Sequence, residues 1–345
     1  MTEIVNTSMI VLAREARGLS QAELAELIGM SATNLSKIER ADIGIAKELL
    51  ETIADKTDYP VEFFFQKGEI VPENLKYRKR EVVAQKLITP IHAQVNVIRK
   101  HIYFLTLALQ IPNADIPILE VSATQTPQQI AIKLRKLWKV NTPVIDNITK
   151  LIEDNGIVTK SFPFNTDRVD SRSILTDDKL PIIFLNSSLL GDRQRFSVAY
   201  ELGQLIMHTF CIVGLDRDVS HEANAFAAEF LMPEKEIRKD FGNDITIPLL
   251  GELKRKWKVS MVALLYRADD LGYLTPNQKR YLLQQFNQLK IRRREPMELD
   301  IPKERSSLVK RWIAEFRSKT KISVVEMSAL FFLNVDEFLE LYSLH

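Results

Sequence analysis

Two apolar helices, close together in the chain, constrain its fold more than any other feature. In Arg195-Phe-Ser-Val-Ala-Tyr-Glu-Leu-Gly-Gln-Leu-Ile-Met-His208 the residues Phe196, Val198, Ala199, Leu202, Leu205 and Ile206 recur at helical spacing, which predicts a largely buried helix. Tyr200 and Gln204 stand four apart and so share a face, with Glu201 beside them. Gly203 in mid-helix costs about 1 kcal/mol against alanine, and its presence predicts a close approach of another element. A second helix, His221-Glu222-Ala-Asn-Ala-Phe-Ala-Ala-Glu-Phe-Leu-Met-Pro233, starts with a carboxylate and stops at a proline.

The first helix has the frame in which two histidines at i and i+4 bind zinc and the intervening glutamate serves as base. The two stretches together resemble the ImmA/IrrE family of metallopeptidase-like proteins, with its pattern "RF-x-x-A-HELGH-x-x-x-H" followed by "E-A-N-x-F-A-A-x-x-L-M-P". Matching positions are Arg195, Phe196, Ala199, Glu201, Leu202, Gly203, His208, Glu222, Ala223, Asn224, Phe226, Ala227, Leu231, Met232 and Pro233. The departures are Tyr200 and Gln204, which stand in the two histidine positions. A phenol with an ordinary pKa of about 10 ionises reluctantly, and a neutral amide oxygen suits harder ions than zinc. Of the motif's ligands Glu222 remains, and one carboxylate does not hold zinc. His208 and His221 could supply imidazoles, but His208 lies roughly 6 Å further along the axis than Gln204, as a structural or capping residue would. The resemblance therefore implies an α+β zincin-like domain with a degenerate cleft formed by Tyr200, Glu201, Gln204, His208 and Glu222. No catalytic residue, metal or cofactor is expected in it. The rival expectation is an active metallopeptidase that uses His208 or His221 with Glu222.

At 345 residues and 46% hydrophobic content the chain has room for two or three globular domains. Its one cysteine, Cys211, excludes an internal disulfide framework and a cysteine-based zinc cluster. There is no apolar block near Met1 and no run long enough to span a bilayer, Ile102 to Leu109 being too short. The expected location is cytoplasmic, with no membrane contact. Net charge is +2 but uneven: residues 1–70 hold seven Lys/Arg against twelve Asp/Glu, and residues 290–321 hold eleven against five.

Near the N-terminus a short helix over 8–18 closes at Gly18, and Ser20 with Glu23 forms a capping box ahead of a stripe at Leu24, Leu27 and Ile28. Gly29 and Met30 turn the chain. Ser31 caps a third helix over 32–40, with Leu35 and Ile38 inward and Thr33, Asn34, Ser36 and Lys37 outward. Two helices across a short glycine turn make the helix-turn-helix plan. Leu49, Ile53 and Ala54 mark a fourth helix, and Val61 to Phe65 a fifth. Residues 8–66, with "LSQAELAELIGMSATNLSKIER" and "LLETIADKTDYPVEFFF", are similar to the XRE family of lambda-repressor-type domains. That resemblance implies that Gln21 touches a phosphate and that Thr33, Asn34, Ser36 and Lys37 face the major groove of double-stranded DNA.

Lys76-Tyr-Arg-Lys-Arg80 reads as a basic linker into a long helix over about 82–110, whose stripe of Ile88, Ile91, Val95, Ile98, Ile102 and Leu105 suits packing on another domain or a second subunit. His92 and His101 lie on it without evident partners and are expected at a surface or interface. Helices are predicted over 127–139 and 143–155, strands over 156–162, from Ser173, and over 181–186, then helices over 247–256 and 260–271. Apolar stripes at 309–316 and 324–333 continue a basic helical end, and no internal repeat stands out.

The expected fold is mainly α with a small β-sheet. It comprises a lambda-repressor-like helix-turn-helix domain (1–70), a helical linker or dimerisation region (71–120), the zincin-like domain (121–275) and a basic helical C-terminal region (276–345). Together the resemblances imply a sequence-specific DNA-binding transcriptional regulator, a repressor of a phage-, defence- or toxin–antitoxin-type operon. It would act as a homodimer, and its peptidase-like domain would sense a small-molecule or protein effector without hydrolysis. A third alternative is an adaptor or antitoxin that binds a partner protein and no DNA, which the acidic N-terminal balance favours because general DNA affinity comes from neutralised phosphates.

Overall fold

The computed structural model describes residues 4–344 apart from 69, 72–77, 80, 81, 211–213, 215, 243 and 343. The protein is mainly α-helical around one small sheet, as the patterning predicts. The N-terminal helices are α1 (Thr7–Ala16), α2 (Gln21–Leu27), α3 (Ala32–Glu39) and α4 (Lys47–Thr57); Val61–Phe65 is a 3₁₀ turn and not a full helix. Next come β1 (Arg78–Lys79), α5 (Gln85–Leu109), α6 (Pro127–Leu137), α7 (Ile148–Asp154), β2 (Val158–Phe162), β3 (Val169–Leu175) and β4 (Pro181–Asn186). The motif helices are α8 (Gly191–Gln204), prolonged by a π-helical turn over Leu205–Thr209, and α9 (Val219–Leu231). α10 (Glu234–Ile237), α11 (Ile247–Trp257), α12 (Met261–Asp270), α13 (Pro276–Gln288), α14 (Leu308–Thr320), α15 (Val324–Leu330) and α16 (Val335–Tyr342) complete the chain.

The sheet order is β1-β3-β4-β2, with β3 antiparallel and β2 parallel to β4. β4 is buried along its whole length: Ile182 and Phe184 face one core, Ile183 and Leu185 the other. A strand covered on both faces reads as an unbroken apolar run, which is why Pro181-Ile-Ile-Phe-Leu stood out in the sequence. The fourth strand, β1, was not foreseen; it lies in the segment read as a basic linker.

The first core joins α1, α4, α5, one sheet face and α14 to α16, so the N-terminal helices do not form an isolated body. The second holds the other face with α6 to α9, α11, α12 and α13. All six stripe residues of α5 are buried within this chain, which leaves that stripe unavailable as a dimer contact. His92 and His101 are buried too, contrary to expectation: His92 donates from Nε2 to the Val71 carbonyl (2.7 Å), and His101 Nδ1 meets the Tyr342 hydroxyl (2.8 Å) while its ring stacks on Phe331. In the small cluster under the helix-turn-helix, Leu24, Ala25 and Leu35 are buried, whereas Leu27 is 48% exposed and is not part of the stripe.

The chain does contain a repeat. At an offset of 303 residues, Ser20 and Ser323 each cap a seven-residue helix with a glutamate capping box (Glu23, Glu326), and Ser31 and Asn334 each cap an eight-residue helix. Left-handed residues recur at the same places, Gly18 with Lys321 and Gly29 with Phe332. Buried Leu24 and Leu35 correspond to buried Met327 and Phe338. α14 to α16 thus repeat the plan of α1 to α3. The sequence hides this because the left-handed positions are held by Lys321 and Phe332 in place of glycine, at a local conformational cost. Where α3 exposes Thr33, Asn34 and Lys37, α16 carries Asp336, Glu337 and Glu340.

Candidate functional site

The two motif helices lie side by side because Gly203 lets them. A Cβ at Gly203 would stand 2.9 Å from the Phe226 ring of α9, so the glycine is a packing requirement between α8 and α9. Gly191 plays the same part at the start of α8, where a Cβ would run into the backbone of Ile301 and Pro302.

On the face of α8 towards α9, side chains join in a chain of hydrogen bonds. Gln204 Nε2 donates to the Tyr200 hydroxyl (3.1 Å) and to the Val219 carbonyl (3.3 Å), and the Tyr200 hydroxyl donates to Ser220 Oγ (3.4 Å). His208, brought round by the π-helical turn, places Nδ1 3.0 Å from Gln204 Oε1 and Nε2 2.7 Å from Glu222 Oε2. Arg217 clamps the same carboxylate through both oxygens. Burial pushes the Glu222 carboxyl up, but the hydrogen bonds and charges of Arg217 and His208 outweigh it and hold it below the usual carboxylate range.

Glu201 points elsewhere. It is 2% exposed and accepts from Ser171 Oγ and Ser173 Oγ of β3, both at 2.7 Å. Burial raises its carboxyl, against the opposing pull of the two serines and of Arg78. The five residues grouped from the sequence therefore split: Tyr200, Gln204, His208 and Glu222 converge, and Glu201 belongs to the sheet.

This donor set does not fit zinc. A metal ligand needs a bare lone pair on imidazole or a free carboxylate oxygen, whereas both His208 nitrogens are engaged with acceptors and both Glu222 oxygens with donors. Among the described residues no group of three His, Cys, Asp or Glu is placed to hold a metal ion. His221, the other candidate, is exposed on the wall of the adjoining cleft.

That cleft, about 1160 Å³, shares only Tyr200 with the sequence-derived set. Its walls include Phe196, Arg193, Asp170 and Asn224, and Arg78 from β1 reaches into it. The Arg78 guanidinium lies 5.0 Å from the Phe196 ring centre and 4.9 Å from that of Tyr200, and Nη1 donates to Ser197 Oγ at 2.7 Å. Arg78 was expected to be part of a basic linker; its side chain is instead held against Phe196, Ser197 and Tyr200 of α8. Lys76, Arg80 and the side chain of Lys79 lie outside the described residues, as does Cys211.

Residues 10–64 match the helix-turn-helix family and residues 152–269 the family described as IrrE N-terminal-like domain. The chain thus carries a segment similar to a helix-turn-helix domain and a segment similar to an IrrE N-terminal-like domain. Among solved structures, the crystal structure of Bacillus thuringiensis PlcR in complex with the peptide PapR7 and DNA is 14% identical over 98% of this chain and 95% of that one. Its TM-score of 0.17 is too low to bear on fold or function. No curated protein matches the chain. Among the described residues, no helix is long and apolar enough to cross a membrane.

The helix-turn-helix face is set by its caps and turn. The Ser20 and Ser31 side chains satisfy the first free amides of α2 and α3, and Gly29 takes a φ of +68° between them. Thr33, Asn34 and Lys37 are exposed on α3 and Ser36 is half-buried. Gln21 Nε2 donates to Glu39 Oε2 (2.7 Å), a carboxylate that also pairs with Arg14, so its amide is tied within the domain in this state.

Proposed function

We propose that the protein is a sequence-specific DNA-binding transcriptional regulator, a repressor, in which the IrrE N-terminal-like domain binds an effector and does not hydrolyse it. The observation that carries the non-hydrolytic part is the fate of Glu201. The residue in the place of the base is buried against Ser171 and Ser173, and the Tyr200, Gln204 and Glu222 positions are spent on one another, on Arg217 and on His208. Without a metal to polarise water, a carboxylate has no nucleophile to prepare. Elemental analysis of purified protein is expected to find no stoichiometric zinc. About one zinc per chain, lost in His208→Ala, would overturn this assignment.

The DNA-binding part rests on the exposed side chains of α3. Asparagine can pair two-fold with adenine and lysine can reach guanine O6 or N7. In gel shifts on the protein's own promoter, Asn34→Ala or Lys37→Ala is expected to cost roughly 1–3 kcal/mol at the specific site and to leave weak general binding nearly unchanged. Intact operator affinity in both variants would move the adaptor reading to the front, which the excess of acidic residues over 1–70 and the engaged Gln21 also favour. A homodimer on two half-sites would have to form through a surface other than the α5 stripe, and a monomeric mass with and without DNA would count against it.

A further inference from the structure

The arginine in the cleft belongs to a strand of two residues. β1 pairs antiparallel with β3, Arg78 opposite Ser171 and Lys79 opposite Val169, with an irregularity between the pairs. So short a strand offers few ladder bonds, and the Arg78 side chain adds contacts of its own. That side chain sits in a built site: two aromatic rings at about 5 Å and the Ser197 hydroxyl at 2.7 Å. A planar guanidinium suits contact with aromatic faces while its N–H groups reach an acceptor, and a lysine ammonium cannot reproduce that. Ser171, the partner of Arg78 in the register, also donates to Glu201, so the strand pairing and α8 meet at the same residue.

On the reading of this domain as a non-hydrolytic binding module, we propose that the edge of β3 is a peptide-binding groove whose arginine subsite, built from Phe196, Ser197 and Tyr200, is occupied by the chain's own Arg78. The ligand class is an extended peptide bearing an arginine, which adds as an antiparallel strand to β3 in exchange for β1. Backbone pairing then gives affinity and the subsite gives selectivity. The cleft alongside leaves room for the residues that flank the arginine.

The probe is the blocked pentapeptide acetyl-Gly-Val-Arg-Val-Gly-amide, titrated by calorimetry into the full chain. Arg78→Ala removes the internal competitor and is expected to bind the probe about ten-fold more tightly than the unaltered protein. Adding Tyr200→Ala to that variant is expected to abolish the gain, and lysine in place of arginine in the probe to weaken it by a similar factor. Equal binding of the arginine and lysine peptides by Arg78→Ala would overturn the subsite. Equal affinity for acetyl-arginine-amide would overturn the added strand. Hydrogen exchange on the unaltered protein needs no variant to fold: saturating probe should deprotect the amides of Arg78 and Lys79 and leave β3 protected, and an unchanged pattern would overturn the exchange of strands. Mass spectrometry of the probe separates this inference from the reading beneath it. Cleaved peptide refutes the non-hydrolytic assignment alone, and absence of binding with the operator shift intact refutes the groove alone.

Discussion

At His92 and His101 burial works against charge. Desolvation, together with the nearby Arg172, lowers His92 to a pKa of about 4, and desolvation, together with Lys160, lowers His101 to about 3. The hydrogen bonds agree for His92, since Arg172 donates to Nδ1 (2.5 Å) while Nε2 donates to Val71, which leaves no room for a second ring proton. Both groups have folded values below the ordinary 6.5, so the unfolded chain takes up protons first as pH falls. Stability is fully present above about pH 6.5 and is lost on the way down to about pH 4. The thermal midpoint should drop between pH 7 and pH 5, and His101→Phe should flatten that slope even if it lowers stability at neutral pH by leaving the Tyr342 hydroxyl unpaired. At Gly203 the added methyl of Gly203→Ala meets a Phe226 ring that is fully buried and stacked on Phe230. Overpacking of this kind costs about 1–3 kcal/mol, more than the roughly 1 kcal/mol alanine gains in a helix. Urea denaturation should therefore show a net loss.

At the scale of elements, the two helix-turn-helix units share caps but not surfaces. Ser20→Ala and Ser323→Ala each remove a hydroxyl that accepts from a free helix amide, and each is expected to cost about 1 kcal/mol in chemical denaturation. A loss confined to one of them would mean that the other cap is not formed. The C-terminal unit carries Asp336, Glu337 and Glu340 where the N-terminal one carries Thr33, Asn34 and Lys37, and carboxylates are repelled by phosphate. It docks on the first unit: Arg17, just past α1, forks onto Glu337 of α16 at 2.9 and 3.0 Å, and Asn334 donates to Asp58. Its place in the fold is that of a brace between the N-terminal helices and the sheet, through α5 and β2.

For the whole molecule, the sheet is the shared wall. One face belongs to the core that carries the helix-turn-helix and the other to the core that carries the motif helices. Arg172 of β3 reaches across to His92 of α5, one strand away from the edge that holds β1. Chains of this length often unfold in stages, but neither core here can open without stripping the sheet of one face. Trp257 reports on the second core and Trp312 on the first. Their fluorescence and the far-ultraviolet dichroism are expected to trace a single urea transition. Separate transitions in single-tryptophan variants would show that the cores are independent.

What the sequence determined by itself was local. Caps, glycine turns, the 3.6-residue period of α8 and α9 and the unbroken run of β4 are written in neighbouring residues, and so were the shared face of Tyr200 and Gln204 and the exposure of Thr33, Asn34 and Lys37. What only the tertiary structure decided were matters of long-range partnership. No periodicity says that one arginine of a basic run returns to a cleft more than a hundred residues on, or that Glu201 turns to the serines of β3 while its neighbour Tyr200 turns to α9. The α5 stripe announced that something would cover it, and apolar area has no address: whether a second subunit or the chain's own α14 and sheet does so is settled by which surfaces the folded chain brings within reach. The C-terminal repeat lay hidden for a related reason. Its left-handed turns carry Lys321 and Phe332 where the first unit uses glycine, and Phe332 packs against the first core while Lys321 is exposed, so residue type does not announce there the turns that it announces at Gly18 and Gly29.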